Sequence, residues 1–360
     1  MTNSIPEITV KQEVKKITTT NPNLRDVVCL IGGFETEENY LTPVFYETLE
    51  GAEADLYDGS ESTLPDANKV LRQIFRENIS GVLVVNVAVK SGSSAPYTWA
   101  RTVTKTKLEN SLAAVADLEF DLLYVAEELT DELITVIDTD AKAKFEAKKP
   151  YGYIGAGTRN NATSYTTTAA KLGDFCYAFL TQPLTIGTDD LSLLESGAWL
   201  TNYIARLPVQ NSLTAKRLDE VNGVGTAYTF VEGDLGATLV GLGYFVIRQL
   251  NPKDNVFECV NSACANELDL YINRCRDYII NDFSLRKFLG EHNTAPSIDA
   301  VKMECNAILT KFRDQLKAVE NITYAVEKVN SKKIKVILNS IDFADIITDI
   351  EVFVTIRVGA

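Results

Sequence analysis

The sequence predicts an α/β core built on a mainly parallel sheet, followed by a C-terminal α+β module. Continuous apolar runs at 27–34, 81–89 and 120–128 read as strands buried on both faces. They alternate over short connections with helix-patterned stretches at 64–78, 107–117 and 131–148, which is the arrangement of βαβ units. Beyond residue 266 the pattern changes to two long helical segments followed by strands, and strand-like segments stand near both chain ends. The expected division is an arm over 1–22, the α/β core over 23–250 and the C-terminal module over 251–360.

Length and composition bound the function. A chain of 360 residues is too long for one small core. Its apolar content of 46% is that of a folded protein. The net charge of −14 argues against a general nucleic-acid binder. No run of eighteen apolar residues occurs, so no membrane span is expected. The start, MTNSIPEITVKQE, has no apolar core and does not read as a secretory signal.

In the arm, Ile8, Val10 and Val14 alternate with polar residues, and TTTNPN closes the segment at Pro22. Twenty extended residues span roughly 65 Å, so such an arm can reach past its own domain. An edge strand of the first domain is the plainer alternative. VVCLIGGF is a buried strand ended by Gly32 and Gly33, with no GxxxxGKS/T or GxGxxG pattern to make a phosphate loop. Residues 41–57 read as short strands and turns. In 64–78, Pro65 sits at the first turn, and Val70, Leu71, Ile74 and Phe75 make an apolar stripe. Residues 91–96 form a loop, and 150–157 a fourth strand candidate. The stretch 163–180 reads as a helix. A helix around Trp199, Tyr203 and Ile204 follows, with Gly197 and Ala198 suited to close packing, and then a polar linker. Residues 227–252 read as hairpin strands with Gly-rich turns.

In the C-terminal module, 267–290 places Leu268, Leu270, Tyr271, Ile272, Tyr278, Ile279, Phe283 and Phe288 at helical spacing, with Gly290 at the stop. A second helix is expected over 297–319, capped by Ser297, with Lys302, Lys311, Arg313 and Lys317 on its polar face. ITYAVEKVN and KKIKVILNS follow as strands, the second with Ile334, Val336 and Leu338 alternating. IDFADIITD connects to IEVFVTIRV, where Ile350, Val352, Val354, Ile356 and Val358 share one face. Such a terminal strand can close its own sheet, the commoner case, or add to a neighbouring subunit.

Candidates for chemistry are few. Cys29, Cys176, Cys259, Cys264, Cys275 and Cys305 form no CxxC pair and read as free buried thiols. Cys259 and Cys264 lack the second pair a metal site needs. The one histidine, His292, lies in GEHNTAP, which reads as an exposed connector. Glu127 and Glu128 follow one strand, and Gly155, Gly157 and Arg159 another, where parallel sheets often bind ligands. Nothing specifies a partner with a matched pKa for acid–base work, and polar loops at a sheet edge account for them.

These features together resemble contractile tail sheath proteins, found in contractile-tailed phages and phage-tail-like R-type bacteriocins. RCRDYIINDFSLRKFLGEHNTAPSIDAVKMECNAILTKF is similar to that family's long helix, FxG(x)xN linker and following helix. KKIKVILNSIDFADIITDIEVFVTIRV resembles its strand, connector and terminal strand. LLESGAWLTNYIARLPVQNSLTAK is similar to its small-residue helix and S-x-T stretch, and the region around FDLLYVAEE looks like its subtilisin-like core. The resemblance covers most of the chain and is strongest over 266–358.

It implies a subunit without cofactor or metal that polymerises in stacked, six-fold rings. The N-terminal arm of one copy (Ile8, Val10, Val14) and the C-terminal strand of another (Ile350, Val352, Val354, Ile356) would join the sheet of a third, beside Ile334, Val336 and Leu338. The helix 297–319 would grip an inner tail tube through Lys302, Lys311, Arg313 and Lys317. Baseplate and tail terminator proteins would be further partners, with no nucleic acid and no membrane span. The setting would be a virion tail or tail-like particle made in the bacterial cytoplasm and released by lysis. Two other readings stand beside it: an α/β enzyme, or another tail or baseplate component. A subtilisin-type enzyme needs Asp, His and Ser in that order, and His292 lies beyond the core.

Overall fold

The apolar runs form strands whose side chains are buried on both faces, and helices cover each face. The computed structural model describes residues 27–344 except 37–38, 58–63, 92–97, 252–254, 263, 265–267, 284, 286–287, 289–294 and 331–332. The arm, His292 and the strand 350–358, with Ile8, Val10, Val14, Ile350, Val352, Val354 and Ile356, lie outside the described residues.

In chain order the core runs β1 (Val27–Gly32), β2 (Val44–Tyr46), α1 (Leu49–Leu56), α2 (Asp66–Ile74), β3 (Gly81–Asn86), β4 (Val89–Ser91), β5 (Thr98–Ala100), α3 (Lys105–Ala114) and β6 (Leu122–Val125). It continues through α4 (Asp131–Glu146), β7 (Gly152–Ala156), α5 (Ala162–Ala169), β8 (Cys176–Leu180), β9 (Leu184–Ile186), β10 (Asp189–Asp190), α6 (Leu193–Arg206), β11 (Val221–Val224) and α7 (Leu235–Gly241). Then come the hairpin β12 (Val246–Asn251) and β13 (Val256–Asn261), α8 (Leu270–Asp282), α9 (Ala295–Thr310), a π-helical turn (Lys311–Gln315), β14 (Val319–Asn330) and β15 (Lys333–Phe343).

Six strands form the main sheet in the order β2-β3-β1-β6-β7-β8. β1, β3, β6, β7 and β8 are parallel, and only the edge strand β2 is antiparallel. The two-residue period of a strand sorts β1 cleanly. Val28 and Leu30 pack with Leu56 of α1, Leu71 of α2 and Trp199 of α6. Cys29 and Ile31 pack on the other face with Leu108 of α3, Ile134 of α4, Tyr165 of α5 and Leu239 of α7. The expected mainly parallel, doubly covered core is therefore what forms.

Four expectations need correction. Residues 49–56 are helical, because Thr48 caps the turn by accepting from Gly51 N at 3.2 Å, and Ala52 and Leu56 face the sheet. The stretch 163–180 divides: α5 ends at Ala169 and CYAFL is β8, the fully buried outer strand of the sheet. A short aperiodic apolar run has no period by which to tell helix from strand. The glycines of 235–243 do not only make turns, since α7 occupies 235–241. Finally, the helix expected from Ser297 begins at Ala295, because Pro296 in a first turn forfeits only a donor that has no intrahelical partner. It stops as an α-helix at Thr310 and continues as the π turn.

The expected division at 250/251 falls inside the β12–β13 hairpin, whose Phe257 and Cys259 pack in the same cluster as β1. A separate cluster forms around α8, with Tyr271, Cys275, Tyr278 and Ile279, and takes in Val209 from the segment after α6.

α6 lies close on the sheet because Gly197 has no side chain. A Cβ there would sit 2.5 Å from Tyr124 Oη and 3.0 Å from Ala156 Cβ. Tyr124 cannot easily move, since its hydroxyl donates to Leu194 O at 2.6 Å. Gly197→Val should therefore destabilise the fold by about 1–3 kcal/mol despite removing a helical glycine. Urea unfolding followed by circular dichroism measures this.

Candidate functional site

The C-terminal module is fastened to the core by buried polar and charged groups at the start and in the middle of α8. At its N-terminus, Asp269 caps the helix by accepting from Tyr271 N at 3.0 Å. Its other oxygen accepts from Ser212 Oγ at 2.8 Å, Thr214 Oγ1 at 2.8 Å and Ser262 Oγ at 2.7 Å. Ser212 and Thr214 are the S-x-T stretch after α6, so those hydroxyls tie the core to the first helix of the module. Both oxygens of the buried carboxylate are thus supplied with donors.

One turn further along, Arg274 Nη2 donates to Leu207 O at 2.7 Å, closing the C-terminal end of α6. Asp277 accepts from Tyr177 Oη of β8 at 2.6 Å and from Arg276 Nε at 2.8 Å. Arg276 also donates to Asp174 O at 3.3 Å and lies 5.2 Å from the ring centres of Phe145 and Phe175. Burial pulls the Arg276 guanidinium down, but the charge and hydrogen bond of Asp277, with Tyr177 and Asp174, together raise it above its ordinary value. Burial and then the same carboxylate hold the Tyr177 hydroxyl well above its ordinary value. Both groups keep their usual charge, and the joint stays closed at neutral pH.

Over α8 and α9 lies a two-stranded antiparallel ribbon, β14–β15. Val319 and Ile322 pack into the cluster formed by Tyr278, Ile308, Phe312 and Leu316, with Leu338, Ile341 and Phe343 half-buried against it. Tyr324 lies 5.7 Å from the ring of Phe283, and its hydroxyl donates to Asn306 Oδ1 at 2.5 Å. Register shifts occur between Val319 and Asn321, Thr323 and Tyr324, and Lys328 and Asn330, and bulges of this kind raise local twist. Among the described residues no third strand pairs with either edge, so both outer rows of backbone N–H and C=O groups face outward.

The predicted site residues divide accordingly. Ile334, Val336 and Leu338 lie on β15 and are half-buried. Lys302, Arg313 and Lys317 are exposed. Lys302 Nζ lies 3.8 Å from Asp299, and Arg313 is held by two bonds to Asp314. Lys311 comes nine residues after Lys302, about half a helical turn out of phase with it. Its ammonium donates to Asp282 Oδ2 at 3.0 Å and sits over the Tyr278 and Phe312 rings, inside the module. Sequence reasoning missed Asp269, Arg274 and Asp277. The Asp directly before the apolar helical run was a readable N-cap signal, whereas the partners of Arg274 and Asp277 are distant in sequence.

The carboxylates flagged at the strand ends fasten loops. Glu127 accepts from Val103 N at 3.1 Å, and Glu128 from Thr158 N at 3.1 Å. Arg159 donates to Leu129 O at 2.6 Å and Thr168 Oγ1 at 2.7 Å. The crevice beside β1, where an α/β sheet would take a ligand, is filled by the chain itself. Arg101 crosses so close that a Cβ on Gly33 would lie 2.2 Å from its carbonyl oxygen, and its guanidinium is 3.6 Å from the fully buried Glu35. All six cysteines are buried and free, and burial raises the Cys264 and Cys275 thiols to about 12, far from reactive thiolates. Among the described residues no cluster of three or more His, Cys, Asp or Glu could hold a metal, and no helix is long and apolar enough to cross a membrane.

No family model matches the sequence, and no curated protein matches it. The fold does match solved structures. A chain in the baseplate of the anti-feeding prophage is 14% identical, with a TM-score of 0.67 over 99% of this chain and 100% of that one. A chain of the contracted sheath complex of PVC, an extracellular contractile injection system, is 11% identical, with a TM-score of 0.63 over 99% and 98%. The sheath tail protein of Desulfitobacterium hafniense is 14% identical, with a TM-score of 0.61 over 88% and 96%. The chain has the fold of these proteins along nearly its whole length.

Asp269→Ala removes a helix cap and strands three hydroxyls, so it should cost about 2–4 kcal/mol. The exposed Asp299→Ala should change stability by less than about 0.5 kcal/mol. Scanning calorimetry of the two variants compares them directly.

Proposed function

We propose that this chain is the structural subunit of a contractile tail sheath, polymerising around an inner tube as stacked rings linked by strand exchange. The observation that carries this is the β14–β15 ribbon, neither edge of which meets a third strand among the described residues, in a chain that also holds strand-patterned segments at 8–14 and 350–358. An added strand at each edge would satisfy the exposed backbone groups. Each such bond contributes about 0.5–1.5 kcal/mol, so a strand of about six holds its neighbour by several kcal/mol. The likeness in fold to sheath tail proteins, including one in a contracted state, supports the same reading.

In this reading the module from α8 onward is the linking unit and the α/β core, with the β12–β13 hairpin, the body it carries. Contraction is a rigid-body turn of subunits about the connecting segments while the exchanged strands stay paired. Assembly itself stores the energy, so no nucleotide, metal or other cofactor is required and the chain is not an enzyme. The outward face of α9, with Lys302, Arg313 and Lys317, is the grip on the inner tube, and weak exposed ion pairs suit a grip that releases. Lys311, tied to Asp282, supports that face from within. Rings would be six-fold, and baseplate and terminator proteins would cap the polymer. The particle would be a phage tail or tail-like device made in the bacterial cytoplasm and released by lysis. A second reading, a baseplate component on the same fold, rests on the likeness to the chain in the anti-feeding prophage baseplate.

Removing residues 1–18 or 350–358 should leave the α/β core folded, by far-UV circular dichroism and thermal melting, and stop polymerisation. Normal tubes from either truncation, seen by electron microscopy, would contradict strand exchange.

A further inference from the structure

The last described residue, Ala344, is held by two hydrogen bonds, and the residue before it by a ring contact. Its N–H donates to Ala318 O at 3.2 Å, one step past the Val319–Phe343 pair that ends the β14–β15 ladder. Its carbonyl accepts from the Tyr271 hydroxyl on α8. The residue before it, Phe343, meets the Tyr271 ring edge-on, with centroids 6.5 Å apart. Tyr271 is itself buried and belongs to the first turn of α8, two residues after the Asp269 cap that binds the core. Ala344, from which the C-terminal segment continues, is thus tied, through one side chain, to the joint between module and core.

Chain length makes this point matter. Ile350 is the sixth residue after Ala344, so it lies within about 20 Å of Ala344. At Ala344 the chain still runs along the axis of β15, beyond the end of β14, and has not turned back toward the ribbon's own edge. Whatever edge residues 350–358 pair with must lie within that reach of a point fixed by Tyr271.

We propose that Tyr271 is a positioning residue for strand exchange: its hydroxyl and ring set where, relative to the core, the C-terminal segment departs toward a second copy of this chain. The proposal rests on the sheath reading above. Without the hydroxyl, Ala344 keeps one hydrogen bond in place of two. The segment then starts from a spread of positions, and part of the entropy of aligning the strand must be met on association.

The test uses the full-length chain with Tyr271→Phe, which keeps the ring against Phe343 and removes only the hydroxyl. Tyr324→Phe is the control, because it removes a comparable hydroxyl bond to Asn306 in the same module, away from the exit. In dilute protein, amide exchange at Ala344 should speed up about fivefold in Tyr271→Phe and stay unchanged in Tyr324→Phe. The critical concentration for polymerisation should rise about fivefold in the first variant only, with melting temperatures close to wild type in both. Unchanged exchange at Ala344 overturns the clamp. Faster exchange with an unchanged critical concentration overturns its role in assembly. A wild-type protein that never polymerises removes the sheath reading, and the positioning role falls with it. The exchange measurement separates that failure from failure of the clamp.

Discussion

A β-strand has two rows of backbone donors and acceptors, and a two-stranded ribbon satisfies only the inner pair. In β14–β15 the outer rows extend along strands of twelve and eleven residues. Such an edge is normally shortened, covered or charged to prevent association. Here one face of the ribbon is committed to α8 and α9 through Ile322, Leu338 and Ile341, so the ribbon cannot rotate to hide its edges. The remaining features of the module make sense as a mount for those edges: aromatic packing beneath, bulges that add twist, and a fixed exit at Ala344.

The mount is stiffly attached. Asp269 collects hydroxyls from the loop after α6 and from the end of β13, while Arg274 and Asp277 bind the end of α6 and the outer strand β8. Buried charge of this kind adds little net stability over apolar packing, but breaking it is costly because one partner is left charged and dry. It therefore fixes geometry. In the proposed polymer, a displacement of the ribbon by a neighbour would be passed through these contacts to the six-stranded sheet. The crevice beside β1 is filled by Arg101 over Gly33, and the strand-end carboxylates hold loops. In the proposed reading the core serves as a rigid body, although its sheet topology is one that enzymes use.

Much of this was legible in the sequence, for physical reasons. The buried strands β1, β3 and β6 are long apolar runs, and α2, α3 and α4 carry clear helical periods between them. The errors fell where no period exists or where one residue type serves two purposes. CYAFL in β8 is too short and uniform to show a period. The glycines around α7 permit close packing as well as turns. Lys311 sits on the polar side of a simple helical reading, yet the register places it opposite Lys302 and over two rings. The joint was only half visible. Asp269 stood before a helical run as a cap should, but its meeting with Ser212, Thr214 and Ser262, and that of Tyr177 with Asp277 a hundred residues away, arise only from the tertiary fold.

The central claim is that the open ribbon makes this chain a self-polymerising sheath. Negative-stain electron microscopy of the purified full-length protein, alone and with an inner tube protein of the kind the proposal requires, tests that most directly. The account predicts long hollow tubes or stacked rings, formed alone or nucleated by the tube protein. A uniformly monomeric or dimeric species under both conditions would contradict it.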